Sequence, residues 1–250
     1  MSNIGNITNN PRGPKPKRVL SRRNIFLYGT LLVIGLYYAV PLYVMVMTSL
    51  KGMPEIRMGN IFSPPMEITF EPWVKAWAEA CTGLKCQGLS SGFWNSVIIT
   101  VPSVIISIAI ASVNGYALAN WRFRGANIFF TILIFGAFIP YQVMIYPIVI
   151  MLREMGLYGT LTGLVIVHTI FGMPILTLLF RNYFSSLPEE LFKAARVDGA
   201  GFWSILFRVM LPMSIPIFTV AAILQITGIW NDFLFGVVFT GPEAYPMTAQ

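Results

Sequence analysis

A chain of 250 residues with 56% hydrophobic and only 11% charged side chains departs from the roughly 45–50% apolar and 25% charged composition of an ordinary soluble domain. Too few polar groups remain to coat a water-soluble particle of this size, so lipid must be part of the solvent, and disordered and collagen-like classes are excluded too. The net charge of +7 has to be read by position rather than by sum, and two cysteines with one histidine leave no room for a zinc cluster.

Residues 1–24 are rich in Asn, Pro, Gly and Arg and carry Arg12, Lys15, Lys17, Arg18, Arg22 and Arg23 without an acid. They read as a flexible basic tail. A membrane-crossing helix takes about 20 mainly apolar residues over a hydrocarbon core of about 30 Å. Five stretches meet that requirement: 25–49, 93–117, 128–152, 161–180 and 215–239. Their long, continuous apolar runs suit helices and not the alternating strands of a barrel. The first run is too long for a signal-peptide core and shows no small-residue cleavage pattern.

Between the first two spans, Lys51, Arg57, Lys75 and Lys85 are balanced by Glu55, Glu67, Glu71 and Glu79. Cys81 and Cys86 lie in that loop and are disulfide candidates if it faces an oxidising compartment, although the spacing alone does not decide the bond. Trp73, Trp77 and Trp94 read as interfacial anchors or loop packing. Pro102, Pro140, Pro147 and Pro174 interrupt three spans, which suits helices lining a path and equally suits bent packing helices. His168, alone in the fourth span, reads as a hydrogen-bonded packing residue rather than a ligand.

The segment 181–212 is long and charged. Pro188 can open a helix at its first position, Glu189 and Glu190 then sit in the first turn where the dipole favours acids, and Lys193 and Arg196 follow. Gly199 to Gly201 would end that helix. Leu191, Phe192, Ala195 and Val197 give it an apolar side that calls for a partner surface, for its own loop or for the lipid interface.

In the fifth span Asp232 is the one acid inside any assigned span. A buried acid in a membrane helix is a functional candidate by default, lining a translocation cavity or capping an interrupted helix, and a structural hydrogen bond at the interface with a partner subunit is the alternative. Asn231 adjoins it, and Gln225, seven positions earlier, shares its helical face. With five spans the chain ends on the side opposite its start, so a sixth helix is expected beyond Gln250.

Alternation places twelve of the 17 basic residues on the side of the N-terminus, which by the positive-inside rule is the cytoplasm. Segment 181–212 is then cytoplasmic. No lysine is followed by Ser or Thr, and His-Glu-x-x-His does not occur, so a phosphate-binding loop and that zinc-hydrolase site are missing. An enzyme is not expected. A secondary transporter or channel would call for several intramembrane ionisable groups or two repeated halves, and the sequence has neither. A structural or assembly membrane protein is the third class.

The run Lys193, Ala194, Ala195, then Asp198, Gly199 and Ala200, then Val209, Leu211 and Pro212 resembles the Glu-Ala-Ala loop of permease subunits of binding-protein-dependent ABC importers. Lys193 stands where many members carry Glu, and Val209 where many carry Ile. The resemblance covers nearly everything after residue 25. Asn95 with Ser96, Tyr116 through Ala119 before Arg122 to Gly125, Ile139 with Pro140, and Trp230 with Asn231 and Asp232 look like the sugar-importing branch. The phrasing from Leu179 to Tyr183 and from Glu190 to Gly201 is similar to glucose/mannose-type permeases.

The resemblance implies an all-α integral membrane protein with the type I ABC importer permease fold, in a bacterial inner membrane, with the N-terminus cytoplasmic. It implies a second permease subunit, two ATPase subunits that bind the ATP and magnesium, an extracytoplasmic sugar-binding protein and surrounding lipid as partners. No cofactor in this chain and no nucleic acid are expected. Residues 25–250 form the permease domain, and 181–212 is the coupling loop. Leu191, Lys193, Ala194, Ala195, Asp198, Gly199, Ala200, Leu211 and Pro212 are the coupling candidates. Gln225, Asn231 and Asp232 are the candidates for a translocation path, where they can meet sugar hydroxyls.

Overall fold

The computed structural model describes residues 22–82, 85–121, 123–241 and 243–249. Most of the basic tail, Gly83 and Leu84 between the cysteines, Arg122, Pro242 and Gln250 lie outside the described residues. The chain divides into two compact units at Val74 and Lys75.

In the first unit, α1 (Arg22–Ser49) carries exposed apolar side chains on every side, Phe26, Leu32 and Tyr37 among them. A helix that is hydrophobic all round asks for lipid rather than water as its solvent. The chain after it is organised by Lys51, which is buried. Its Nζ donates to the Asn60 carbonyl and to Ser63 Oγ, each at 3.1 Å, so the ammonium is satisfied by the loop that it gathers. A short helix, α2 (Met53–Met58), opens with Pro54 in its first turn, and α3 (Glu71–Ala78) contains the boundary between the units.

The second unit begins with a minimal hairpin, β1 (Cys81–Thr82) paired antiparallel with β2 (Lys85–Cys86). A disulfide joins Cys81 and Cys86. Its core is the crossing of α4 (Ser90–Asn120) with α7 (Leu161–Ser186). The buried face of α4 is a stripe of small residues, Ser96, Thr100, Ser103, Ser107, Ala111 and Gly115, which lets two helix backbones approach closely without an apolar solvent penalty to drive them together. At Gly115 an added Cβ would lie 2.6 Å from Phe180 Cβ and 2.8 Å from the Arg181 nitrogen. The serines return their hydroxyls to the helix, as Ser103 Oγ does to the Ile99 carbonyl at 2.7 Å.

Two expected spans differ from the reading by length alone. The stretch 128–152 is not one helix: α5 (Ala126–Ala137) and α6 (Tyr141–Glu154) meet at a bend of 100°. Pro140 has no N–H to continue the ladder and drives Ile139 out of helical geometry, and it caps the new helix with ψ 119. Pro102, Pro147 and Pro174 stay inside helices.

The stretch 215–239 also divides, into α11 (Ile215–Trp230) and α12 (Leu234–Phe239). Upstream, α8 (Glu189–Val197), α9 (Phe202–Ile205), a π-turn at Leu206–Met210 and α10 (Leu211–Met213) occupy the predicted loop. The helical run Phe202–Met213 meets α11 at a bend of 79°. Among the described residues three helices are individually long and apolar enough to cross a membrane, and five spans result if each bent pair counts as one.

Candidate functional site

The long connection between α7 and α11 builds the first site. Helix α7 runs to Ser186, beyond the expected span end at Phe180, and Pro188 then starts α8 with Glu189 and Glu190 in its first turn, where the free N–H groups favour negative charge. Among the described residues Phe192 is the one buried side chain of α8. Leu191, Lys193, Ala194, Arg196, Val197, Asp198 and Gly199 are all exposed, and Ala195 and Ala200 are half-buried. Lys193 pairs with Glu189 at 3.0 Å within the same helix, so its charge ties α8 to itself.

The end of α8 is a left-handed turn. Gly199 has φ +78, the Gly199 N–H donates to the Arg196 carbonyl, and the Ala200 N–H donates to the Ala195 carbonyl, each at 3.0 Å. This is the reason for a glycine there. Leu211 and Pro212 belong to α10, with Leu211 packed against the core and Pro212 exposed. The coupling candidates therefore sit on two elements, and the compact exposed group is the one on α8 and its terminal turn.

Gln225, Asn231 and Asp232 are placed differently from one another. Gln225 Nε2 donates to the His168 carbonyl at 3.4 Å, and Asp232 Oδ2 lies 3.7 Å from His168 Nε2. The expected shared face of Gln225 and Asp232 is thus turned toward α7. Asp232 Oδ2 also accepts the Phe235 N–H at 3.0 Å, which caps the start of α12, and its carbonyl accepts Thr248 Oγ1 at 2.7 Å. Asn231 is exposed and donates to the Thr227 carbonyl at 2.9 Å. His168 is buried against Phe235, 5.6 Å between ring centroids. Ser96, Thr100, His168 and Asp232 line one narrow cleft between α4, α7 and α11.

Sequence reasoning missed two sets of contacts. Asn95 and Ser96 hold the last described stretch: Asn95 Nδ2 donates to the Tyr245 carbonyl at 3.0 Å, and Ser96 Oγ accepts the Met247 N–H at 2.8 Å. The second set is aromatic: Tyr116 and Trp121 each approach both Phe192 and Phe202.

Residues 103–249 match the family described as binding-protein-dependent transport system inner membrane component. The chain belongs to that family. It is 37% identical over 235 residues to a probable ABC transporter permease protein of Pyrococcus horikoshii, covering 93% of this chain and 82% of that one. It is 34% identical over 230 residues to the xylose/arabinose import permease protein of Haloferax volcanii, covering 83% and 71%. In fold it is similar to a bacterial ABC transporter involved in the import of the acidic polysaccharide alginate, with a TM-score of 0.74, 24% identity, and 92% of this chain and 79% of that chain covered. The protein is therefore the membrane permease component of a binding-protein-dependent importer, a transport subunit and not an enzyme.

Proposed function

We propose that this permease imports a sugar, working with a second permease subunit, two ATPase subunits that hold ATP and magnesium, and an extracytoplasmic sugar-binding protein. Its N-terminus and α8 lie on the cytoplasmic side, and α8 with its terminal Asp198, Gly199 and Ala200 turn is the surface on which an ATPase subunit docks. The observation that carries this reading is the exposure of α8: a nine-residue amphipathic helix between two membrane helices with Phe192 as its one buried side chain and Leu191, Ala194 and Val197 left uncovered. An apolar surface of that kind in water calls for a partner. Small residues at Ala194, Ala195 and Gly199 permit close approach of that partner.

Sugar as the substrate class is supported by the Haloferax volcanii relative, whose name assigns it xylose and arabinose. The similarity of Leu179 to Tyr183 to glucose/mannose-type permeases makes those hexoses the first substrates to test. Co-expression with its partner permease, ATPase and binding protein and mild detergent purification should retain an ATPase on the permease, and reconstituted complex with the binding protein should accumulate sugar only with ATP. Loss of the ATPase under several mild conditions, or uptake that ignores ATP, would overturn the proposal.

A further inference from the structure

Three elements meet around Phe192. Its ring approaches Trp121, at the end of α4, edge-on at 6.0 Å, and Tyr116, one turn earlier on α4, at 6.5 Å. Phe202, which opens α9, closes the socket at 4.8 Å from Tyr116 and 5.3 Å from Trp121. Tyr116 is fully buried, and its hydroxyl donates to the Phe202 carbonyl at 3.4 Å. Phe184 of α7 stands 5.9 Å from Tyr116, so the socket is continuous with the central helix crossing.

A single ring in a socket resists pulling but leaves α8 free to pivot about it. The second hold is Arg196. One turn after Phe192 and on the same face, its guanidinium lies 4.4 Å from the Trp121 ring centroid and 5.5 Å from that of Phe192. Two grips one turn apart set both the position and the direction of α8. The intrahelical Lys193 to Glu189 pair supplies no such hold on α4.

We propose that Arg196 is a positioning residue that clamps α8 to the end of α4 through Trp121, so that a displacement of α8 moves α4 instead of being lost as rotation about Phe192. The inference rests on the coupling role of α8 proposed above. It assigns to Arg196, Trp121, Tyr116 and Phe202 a task in transmission and leaves docking to the exposed face. Arg is suited to it because a planar guanidinium stacks on an indole face, whereas Lys keeps the charge without the plane.

The test uses the whole reconstituted complex and reads sugar moved per ATP hydrolysed, with ATPase retention measured alongside. Arg196→Gln and Trp121→Leu should each lower that ratio about two- to fivefold, the range of an exposed to partly desolvated cation–π contact, with the ATPase still bound. Arg196→Lys should fall between wild type and Arg196→Gln, and Trp121→Phe, which keeps a ring, should recover most of the ratio even if Trp121→Leu folds poorly. The double variant Arg196→Gln with Trp121→Leu should be no worse than Trp121→Leu alone, since the Arg196 clamp acts through the Trp121 ring that this variant already lacks. Multiplying losses in the double variant, or an unchanged ratio in Arg196→Gln, would overturn the clamp. Loss of the ATPase in Arg196→Gln alone would overturn it too, by making Arg196 a docking contact. Failure of the wild-type complex to retain an ATPase would instead sink the coupling reading beneath it.

Discussion

Gly199 and Arg196 stand three positions apart and were legible to different degrees. A glycine closing a helix that Pro188 opened is a local signal, and the structure gives it φ +78. A Cβ there would meet nothing within 4 Å, so the constraint on the residue inside this chain is its backbone alone. Left-handed geometry costs a branched residue about 1–2 kcal/mol, and Asn tolerates it far better. Gly199→Val should therefore cut uptake sharply at unchanged membrane level, read by transport assay and immunoblot. Gly199→Asn separates the two demands on the position: near-normal uptake makes the turn the requirement, whereas loss of uptake with normal insertion makes the bare surface the requirement for docking. Arg196 was legible only as a cation following the acidic first turn of a helix, because its partner Trp121 lies at the end of another helix and carries no periodic link to it. Asp232 was visible as an intramembrane acid and as a candidate cap for an interrupted helix, which its bond from the Phe235 N–H fits, but its approach to His168 depends on where the chain breaks.

Element boundaries followed the same division. Helix α1, α4 and α7 were visible as apolar runs, since a helix satisfies its own backbone and needs only length and apolarity to cross lipid. The turn at Pro140 was visible as a proline and not as a bend of 100°, because Pro102, Pro147 and Pro174 carry the same chemistry and remain within helices. The α4 and α7 crossing makes the strongest prediction at this scale. A leucine at Gly115 would drive its Cβ into Phe180 and the backbone at Arg181, and overpacking of this kind costs about 1–3 kcal/mol. Gly115→Leu should lower the thermal midpoint of the detergent-solubilised protein by several degrees or reduce its yield, whereas a wild-type midpoint would show that the two helices can separate at this point.

For the molecule as a whole, the distribution of basic residues carries the orientation. In a variant with Cys81→Ser and Cys86→Ser, a single thiol introduced by Glu190→Cys should be shielded from a membrane-impermeant maleimide in intact cells and labelled after lysis. One introduced by Arg57→Cys should be labelled in intact cells. The opposite pattern would invert the orientation and remove α8 from reach of an ATPase.

Composition, the five apolar stretches, the skewed basic residues and the spaced Lys193 to Pro212 run were determined by the sequence alone, because transfer into lipid, helix initiation and helix termination are local properties of the chain. The tertiary structure alone decided that Arg196 covers Trp121, that Phe192 enters a socket built by α4 and α9, and that Gln225 and Asp232 both turn to His168. Those contacts join residues distant along the chain, and close packing of specific side chains, not any period in the sequence, selects them.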